Sequence, residues 1–438
     1  MPKTARCLVS NSMARSAKAL RIIYPEEQNY ACRECPARCC RTPWGIPVAP
    51  EVAHRILQDE ELRRRLVGRA PGILAGGTLP MIESERKLQC VFLEDDLLCG
   101  VQKRHGHSAL PAACQAYPFG FVEDERGNTV TLLSRHCPSI RDNYGEPLLG
   151  QIQAKVGQAG GARALSDRMG LRSGRTLPRA QYLMLVDAWR ELCSSQSPIT
   201  AVLSCYALAD HFDEALSGGS VFTDAQVHGA LQQARQRTAV AALTPRRHPN
   251  FQARLFYAHE LGNLCYPSRL LTEFAVTRPS WSQRVGSWQN KWNWLLQVGK
   301  VDLLYVAQPV RLRHLAKVPP FLEGELGNLV RNYLVEVLER RQVFVRQTYL
   351  TRVAVDLGLM VGLISRFARA SAVGHGRLQV VKADVLEGMG VSDLLMAHQA
   401  DARQSTVLAN LRLHLMSTPA AVPRFLASEA GPFVSTAQ

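Results

Sequence analysis

Four cysteines lie within nine residues near the start of the chain, in the segment Cys32-Arg-Glu-Cys35-Pro-Ala-Arg-Cys39-Cys40. Thiols so close in sequence can hardly avoid converging on one point, because the chain between them is too short to separate them. Four more cysteines follow: Cys90, Cys99, Cys114 and Cys137. Eight of the twelve cysteines therefore lie between positions 32 and 137, which predicts a cysteine-rich domain and a cysteine-poor remainder.

With 438 residues, of which 46% are hydrophobic and 20% charged, the chain has the composition of a globular protein and the length for two domains. We predict a cysteine-rich domain over residues 25–146, which binds a metal or an iron–sulfur cluster, and a helical domain over residues 147–418. The predicted fold class is α+β, mostly α, with short β-hairpins in the first domain and helices alone in the second.

The first 23 residues are basic but lack the uninterrupted apolar core and the cleavage site of a secretory signal, which predicts a cytoplasmic protein. The most apolar later run, residues 353–364, contains Asp356 and is too short for the roughly 20 residues that a bilayer needs. It predicts a buried helix, and no membrane partner is expected.

The compartment decides how the thiols are interpreted. In a reducing cytosol, clustered cysteines are more often metal ligands or catalytic groups than disulfides. The net charge of +15 favours an acidic partner. The lysines and arginines are nevertheless spread along the chain without a basic block interleaved with aromatics, which argues against nucleic acid.

Local patterns predict the elements that carry the later thiols. A helix is expected from Pro50 through Leu66. The runs 87–93 and 97–101 flank three acidic residues and predict a hairpin with Cys90 and Cys99 on neighbouring strands. A second hairpin, 119–122 with 129–133, would have Cys114 before it and Cys137 after it. Further helices are predicted over residues 148–164, 178–193, 201–216, 223–241, 251–264, 281–298, 321–341, 348–369 and 380–402.

Thiolates select zinc, copper(I) or iron–sulfur clusters over magnesium or calcium. The spacing C-x2-C-x3-C lets three sulfurs reach one centre, and we expect the adjacent Cys39 and Cys40 to point in different directions. Eight thiols can supply two four-ligand sites, or one site with spare thiols. Because only Cys32 and Cys35 form the CxxC pair that zinc ribbons use twice, a 4Fe–4S cluster is favoured over zinc. All eight thiols are candidate ligands.

Three histidines are weaker candidate ligands. His105 and His107 would share one face if they lay on a strand, and His136 directly precedes Cys137. Exposed histidines are the more common outcome at such positions. Tyr117-Pro118-Phe119 predicts a turn that packs aromatic rings against the centre.

These segments resemble a known family. Cys32-x2-Cys35-x3-Cys39-Cys40, followed by Trp44 and Ile46-Pro47-Val48, is similar to the CxxCxxxCC signature of the zinc- or iron-chelating cysteine-cluster proteins of the YkgJ type. The segment from Cys90 to Cys99 resembles the second cysteine pair of that family.

Within the family, the chain resembles most the flagellin lysine N-methylase branch. The similarity lies in the segment from His105 to Pro118, in the step Leu133-Ser134-Arg-His-Cys137-Pro138 and, more diffusely, in residues 326–334 and 349–370. The resemblance implies a metal or iron–sulfur centre held by these cysteines. It also implies methyl transfer from S-adenosylmethionine to a lysine of a flagellin-like protein. The alternatives are a non-catalytic zinc or iron protein and a redox protein.

Overall fold

The structure is a computed structural model, and it describes residues 7–9, 21–23, 25, 27–32, 35–42, 46–66, 77, 79, 81–84, 87–124, 127–158, 162–171, 173–216, 222–240, 258, 261–262, 265–266, 281–303, 305–306, 308–340 and 349–403. The fold is α+β and mostly α, as predicted. The chain forms two compact units: the first contains Met1–Phe121, Thr129–Ala162 and Ala258–Val310, and the second Val122–Asn128, Arg163–Tyr257 and Arg311–Gln438. Each unit is assembled from three stretches of chain, whereas the predicted domains are continuous segments.

In chain order, the helices and strands are β1 (Cys7–Val9), β2 (Arg21–Ile23), β3 (Asn29–Tyr30), α1 (Pro50–Gln58), α2 (Glu60–Arg64), β4 (Met81–Ser84), β5 (Lys87–Cys90), α3 (Gly100–His105), α4 (Ala112–Ala116), β6 (Phe119–Glu123), β7 (Thr129–Leu133), α5 (Pro138–Asp142), β8 (Glu146–Pro147), α6 (Ile152–Gln158), β9 (Arg163–Ala164), β10 (Arg168–Gly170), β11 (Thr176–Pro178), α7 (Arg179–Ser195), α8 (Pro198–Ala215), α9 (Asp224–Val240), β12 (Cys265–Tyr266), α10 (Trp281–Leu296), β13 (Lys300–Leu303), β14 (Val310–Arg311), α11 (Gly324–Glu339), α12 (Leu350–Gly374) and α13 (Lys382–Arg403).

The strands form small sheets. The largest has the order β1-β2-β7-β6-β9, in which β1 and β2 are antiparallel and β2 runs parallel to β7. Within the second unit, Val122 at the end of β6 pairs in parallel with Arg163 of β9. Antiparallel pairs join β3 with β8, β4 with β5, β10 with β11, and β12 with β13.

The first unit buries two apolar clusters. The helix cluster surrounds α1 and comprises Ile46, Val48, Val52, Ala53, Ile56, Leu62, Leu66, Leu79, Cys90, Val91, Phe92, Val101, Ala109 and Leu110. The strand cluster comprises Ile22, Tyr30, Phe119, Phe121, Leu133, Cys137, Ile140, Leu148, Ile152 and Val156. Cys40, Cys99 and Cys114 pack against the helix cluster, so, with Cys90 and Cys137, five of the eight predicted ligands lie in or against the two clusters.

The structure corrects the first predicted hairpin. Strand β5 pairs with β4, and residues 100–105 are helical. Cys99 keeps a single bridge to Leu93, after which the Gly100 N–H donates to the Phe92 carbonyl at 2.8 Å and α3 begins. The second hairpin is confirmed as β6 and β7, which are neighbours in the sheet.

The helix predicted from Pro50 to Leu66 is divided at Asp59. The Asp59 carboxylate accepts hydrogen bonds from the backbone N–H groups of Glu61 and Leu62, so it caps the start of α2. The helix predicted over 148–164 is also too long, because α6 ends at Gln158 and Arg163 joins a strand.

The long helices of the second unit agree with the predictions for 178–193, 201–216, 223–241, 321–341, 348–369 and 380–402. In the first unit, the helix predicted over 281–298 is confirmed as α10. The helix predicted over 251–264 lies largely outside the described residues. The prediction that residues 147–418 contain only helices is wrong, because β10 pairs with β11 and β12 with β13.

Helix α12 is buried on nearly all sides, including Asp356, and packs against α8 and α13. An apolar helix without a solvent face belongs in the interior of a protein, as predicted for residues 353–364. Among the helices that the structure describes, none is long and apolar enough to cross a bilayer.

Asp384 anchors the start of α13. Its carboxylate is 1% exposed and accepts hydrogen bonds from Arg377 Nη1 at 2.7 Å and Nη2 at 2.9 Å, from Ser371 Oγ at 2.7 Å and from the Val381 N–H at 3.0 Å. Replacing Asp384 with Ala leaves the buried Ser371 hydroxyl and the half-buried Arg377 guanidinium without their acceptor and should lower the free energy of unfolding by about 3 kcal/mol. Urea denaturation followed by circular dichroism measures the change.

The control for Asp384→Ala is Asp167→Ala. Asp167 is 90% exposed in its ion pair with Arg179, and such surface pairs contribute less than about 1 kcal/mol. Equal destabilisation by the two substitutions would contradict the anchoring role of Asp384.

Candidate metal or iron–sulfur centre

Two turns shape the cysteine segment. The Cys35 N–H donates to the Cys32 carbonyl at 3.3 Å, and residues Cys39–Arg41 form a 3-10 turn in which the Arg41 N–H bonds to the Ala37 carbonyl at 3.1 Å. The prediction that the Cys39 and Cys40 thiols point apart is wrong. The tight turn brings their sulfurs to 3.9 Å, within hydrogen-bonding distance for thiols.

Three of the four later thiols lie at the ends of short elements. Cys90 ends β5, which packs beside the Cys39–Arg41 turn. Cys99 immediately precedes α3 and Cys137 immediately precedes α5, whereas Cys114 lies inside α4. Such positions fix the direction of a side chain within a largely irregular part of the chain.

The charge of Cys39 raises the pKa of all seven other thiols of the group. Burial raises the pKa of six of them, and the Cys39 charge raises it further, for Cys32, Cys35, Cys90, Cys99, Cys114 and Cys137. The hydrogen bond to Cys39 and then burial raise the pKa of Cys40. Direct contacts bring part of this set together: the Cys39 and Cys40 sulfurs lie 3.9 Å apart, and Cys40, Cys90, Cys99 and Cys114 pack in or against the helix cluster.

Backbone N–H groups point at several of these sulfurs. Cys35 accepts hydrogen bonds from Arg38 and Ala37, and Cys90 accepts one from Phe92. Cys99 and Cys137 each accept from the backbone two and three residues further on. A hydrogen bond donated to sulfur stabilises the thiolate, which is the form that binds metal.

The adjacent Cys39 and Cys40 thiols have pKa values that shift in opposite directions. The Cys40 thiol donates to Cys39, and this hydrogen bond lowers the pKa of Cys39 despite its burial. Burial raises the pKa of Cys90 and of Cys137 to about 12, although backbone donors oppose the shift. In the metal-free protein, the first negative charge of the group therefore forms at Cys39.

Aromatic rings border the thiols, as the sequence predicts for Tyr117 to Phe119. Tyr30 packs edge-on against Phe119 with ring centroids 4.9 Å apart, and Lys155 Nζ lies 5.7 Å from the Tyr30 centroid. Burial raises the pKa of Tyr30 and Tyr117, and thiolate charges raise it further. Burial also lowers the pKa of Lys155, and the charge of Cys32 opposes this shift.

A polar network adjoins the cysteine segment. The Thr42 hydroxyl donates to the Arg38 carbonyl at 2.7 Å and lies 2.6 Å from His136 Nε2 and 3.1 Å from the Tyr305 hydroxyl. Because the single Thr42 proton goes to the carbonyl, His136 Nε2 and Tyr305 donate to Thr42. The Arg38 guanidinium stacks 3.9 Å above the Tyr305 ring.

Sequence spacing drew attention to His136 in this network but not to Thr42 or Tyr305. Tyr305 lies far from the cysteines in sequence, and its backbone has a positive φ of 69°. No local motif in the sequence marks such a residue, so only the fold could reveal it.

The other two histidines do not share a strand face. His105 ends α3 and its Nε2 lies 3.0 Å from the Asp59 carboxylate, whereas His107 begins a 3-10 turn after Gly106. Burial lowers the pKa of His107, and the nearby charge of Lys155 lowers it further.

The donor set suits a thiolate-bound centre, although the described residues do not form a closed site. Within the described part of the chain, no three Cys, His, Asp or Glu side chains stand at the distances that would hold a metal ion. A multi-iron cluster is wider than one ion, so its thiolates stand further apart than the ligands of a single zinc.

Neither the sequence nor the structure resembles a characterised protein closely: no family model, no curated protein and no solved structure matches.

Thiolate absorbance can locate the first charge in the cluster. In reduced, metal-free protein titrated upward in pH, the first thiolate should belong to Cys39, because its pKa alone among the eight is lowered. Cys39→Ser should remove this first step in the ultraviolet thiolate band. The matched variant Cys90→Ser should keep it, since Cys90 ionises only near pH 12. A first step that survives Cys39→Ser would contradict the assignment.

Proposed function

We propose that this chain binds a metal or an iron–sulfur cluster through its cysteine group and is a protein-lysine methyltransferase. The observation that carries the proposal is that the Cys39 and Cys40 sulfurs lie 3.9 Å apart and that Cys40, Cys90, Cys99 and Cys114 pack in or against one helix cluster. In the absence of disulfides among the described cysteines, so dense a group of thiols is most simply understood as a ligand set.

The candidate ligands are the eight predicted cysteines. Cys35, Cys39, Cys90, Cys99 and Cys137 are the best suited, because backbone N–H groups donate to their sulfurs and stabilise thiolates. Similar hydrogen bonds to sulfur tune iron–sulfur proteins. We favour a 4Fe–4S cluster over zinc, since thiolates that surround a wide region suit a multi-iron centre better than a single ion.

Methyl transfer follows from the resemblance to flagellin lysine N-methylases. In such a reaction the lone pair of a neutral lysine ε-amine forms the N–C bond while the C–S bond of S-adenosylmethionine breaks, which leaves a thioether. The amine must lose one proton, and a desolvated site favours this loss because burial lowers the pKa of a lysine. In-line positioning of amine, methyl group and sulfonium supplies the rest of the rate enhancement.

A bound cluster would attract the polar end of the methyl donor. Within the chain, Lys155 interacts electrostatically with Cys32, and Arg38 directly precedes the Cys39–Arg41 turn. Their positive charges suit the carboxylate of an amino-acid donor. A flagellin-like protein is the proposed source of the acceptor lysine.

A structural role is the second candidate function. The thiols pack between the two apolar clusters of the first unit, Cys90 in the helix cluster and Cys137 in the strand cluster. A metal that joined these residues would cross-link the two clusters, and its binding free energy would become folding free energy. The same site could also support electron transfer if it holds iron and sulfide.

Metal analysis tests the first part of the proposal. Protein purified without oxygen should contain iron and acid-labile sulfide at about four each per chain, as one cubane requires. Cys35→Ala should lower both contents by roughly tenfold, because it removes a ligand and the sulfur held by two backbone donors. Elemental analysis and the visible spectrum measure the result.

The control for this experiment is Cys193→Ala. Cys193 is a buried cysteine of the second unit, and its sulfur lies 3.8 Å from that of Cys205. The Cys193→Ala substitution should therefore leave the iron content unchanged. Zinc without sulfide would support the structural role. A folded wild-type chain without bound metal would contradict both.

Donor binding tests the methyltransferase proposal. Metal-replete protein should bind S-adenosylmethionine saturably in equilibrium dialysis, and Cys32→Ala, Cys35→Ala or Cys39→Ala should weaken binding by roughly tenfold or more. The Cys193→Ala control should bind like the wild type. If metal-replete, folded protein binds no donor, the methyltransferase proposal fails, whereas the metal-site proposal stands on its own analysis.

A further inference from the structure

Helix α10 of the first unit directs its aromatic residues outward. Trp281 is 79% exposed, Trp288 67% and Trp292 50%, and Val285 and Leu296 are also about half exposed. At 3.6 residues per turn these five residues fall within about 80° of one helix face. We call this face the tryptophan seam.

The opposite face of α10 packs inward although it is more polar. Ser287 is 3% exposed and Asn290 7%, and they lie beside the buried Trp294, whose Nε1 donates to Cys265 Sγ at 3.2 Å. An amphipathic helix normally buries its most apolar side. The inverted arrangement of α10 therefore indicates that the tryptophan seam contacts something other than the core of its own unit.

The exposed area is large enough to matter. A tryptophan buries roughly 150–250 Å² when fully covered, so the three indoles alone leave on the order of 400 Å² exposed. Patches of this size on a protein surface usually mark an interaction site. Tryptophan is also the residue type most enriched at binding hot spots.

The spacing of the seam identifies the shape of its partner. Trp281, Val285, Trp288 and Trp292 are separated by four, three and four residues, which is the a and d spacing of a helix that pairs with another helix. A helix that lies on a membrane surface needs a broader apolar face than this narrow row.

Charge identifies the chemistry of that partner. The sequence of α10 contains Arg284 and Lys291 but no Asp or Glu, and the whole chain carries a net charge of +15. Two copies of this chain, each with a net charge of +15, would repel each other on approach. A partner with acidic residues beside its apolar row would instead gain attraction on contact.

We propose that the tryptophan seam of α10 docks an acidic amphipathic helix of a partner protein. This interaction surface is separate from the cysteine group and does not depend on methyl transfer.

The experiment uses the full chain and two synthetic heptad-repeat peptides with leucine at a and d. One peptide carries Glu at e and g, and the other carries Lys at the same positions, so the pair differs only in charge. Fluorescence anisotropy should give saturable binding of the Glu peptide and at least about tenfold weaker binding of the Lys peptide. Like charges at e and g also limit self-pairing of either peptide.

Substitution locates the binding surface. Trp288→Ala with Trp292→Ala should weaken binding of the Glu peptide by about tenfold or more, because both residues are exposed anchors of the seam. The matched control is Leu149→Ala with Leu378→Ala, which removes two other exposed apolar side chains, 45% and 54% exposed, and should change nothing. Thermal unfolding should confirm that both variants remain folded.

Three results would overturn the proposal. Equal affinity for the two peptides would remove the role of charge, and undiminished binding by the tryptophan variant would place the contact elsewhere. Absence of saturable peptide binding would also reject it. If the wild type then forms dimers in sedimentation and the tryptophan variant does not, the seam binds a second copy of the chain. If the wild type instead binds phosphatidylglycerol vesicles, the seam binds a lipid surface.

Discussion

The thiols around Cys39 cannot all ionise together, because like charges in a buried region raise one another's pKa. This repulsion limits how many thiols of the first unit can be ionised at once. The metal-free protein must keep most of these sulfurs protonated, as the raised pKa values of Cys90 and Cys137 indicate. Any cation that binds must displace those protons, so metal affinity should depend on pH. Backbone donors to five sulfurs reduce the free energy needed for that exchange.

The same crowding couples the proposed centre to folding. Cys90 belongs to the helix cluster and Cys137 to the strand cluster, so a shared metal would join two halves of one core. A catalytic centre and a structural cross-link are therefore compatible uses of one ligand set. Which of the two proposed uses dominates depends on whether a methyl donor can reach the proposed centre.

Local sequence was sufficient for features with a strong internal period. The apolar spacing predicted α7, α8 and α12 to within a few residues, because a helix satisfies its own hydrogen bonds. Short strands depend on distant partners. Arg163 follows a helical pattern, yet its backbone pairs with Val122, and no residue near Arg163 signals that pairing.

The candidate centre likewise combines features that sequence spacing predicts with features that only the fold produces. Spacing alone predicted that Cys32, Cys35, Cys39 and Cys40 form one group, since short segments leave little freedom. The contacts of Thr42 with His136 and Tyr305 join three distant parts of the chain, and they follow from the fold rather than from a motif. The expected divergence of Cys39 and Cys40 failed because the two residues lie in a 3-10 turn, which brings their sulfurs to 3.9 Å.

Helix α10 separates what periodicity can predict from what it cannot. Its apolar residues at three- and four-residue spacing predict a helix correctly, and the usual inference is that the apolar side faces the core. In the structure, Ser287 and Asn290 are buried and Trp288 is exposed. A period identifies which residues share a face but not what that face contacts. Burial of aromatic surface is favourable wherever it occurs. An outward row of tryptophans would therefore stabilise the contact with a partner molecule that covers it.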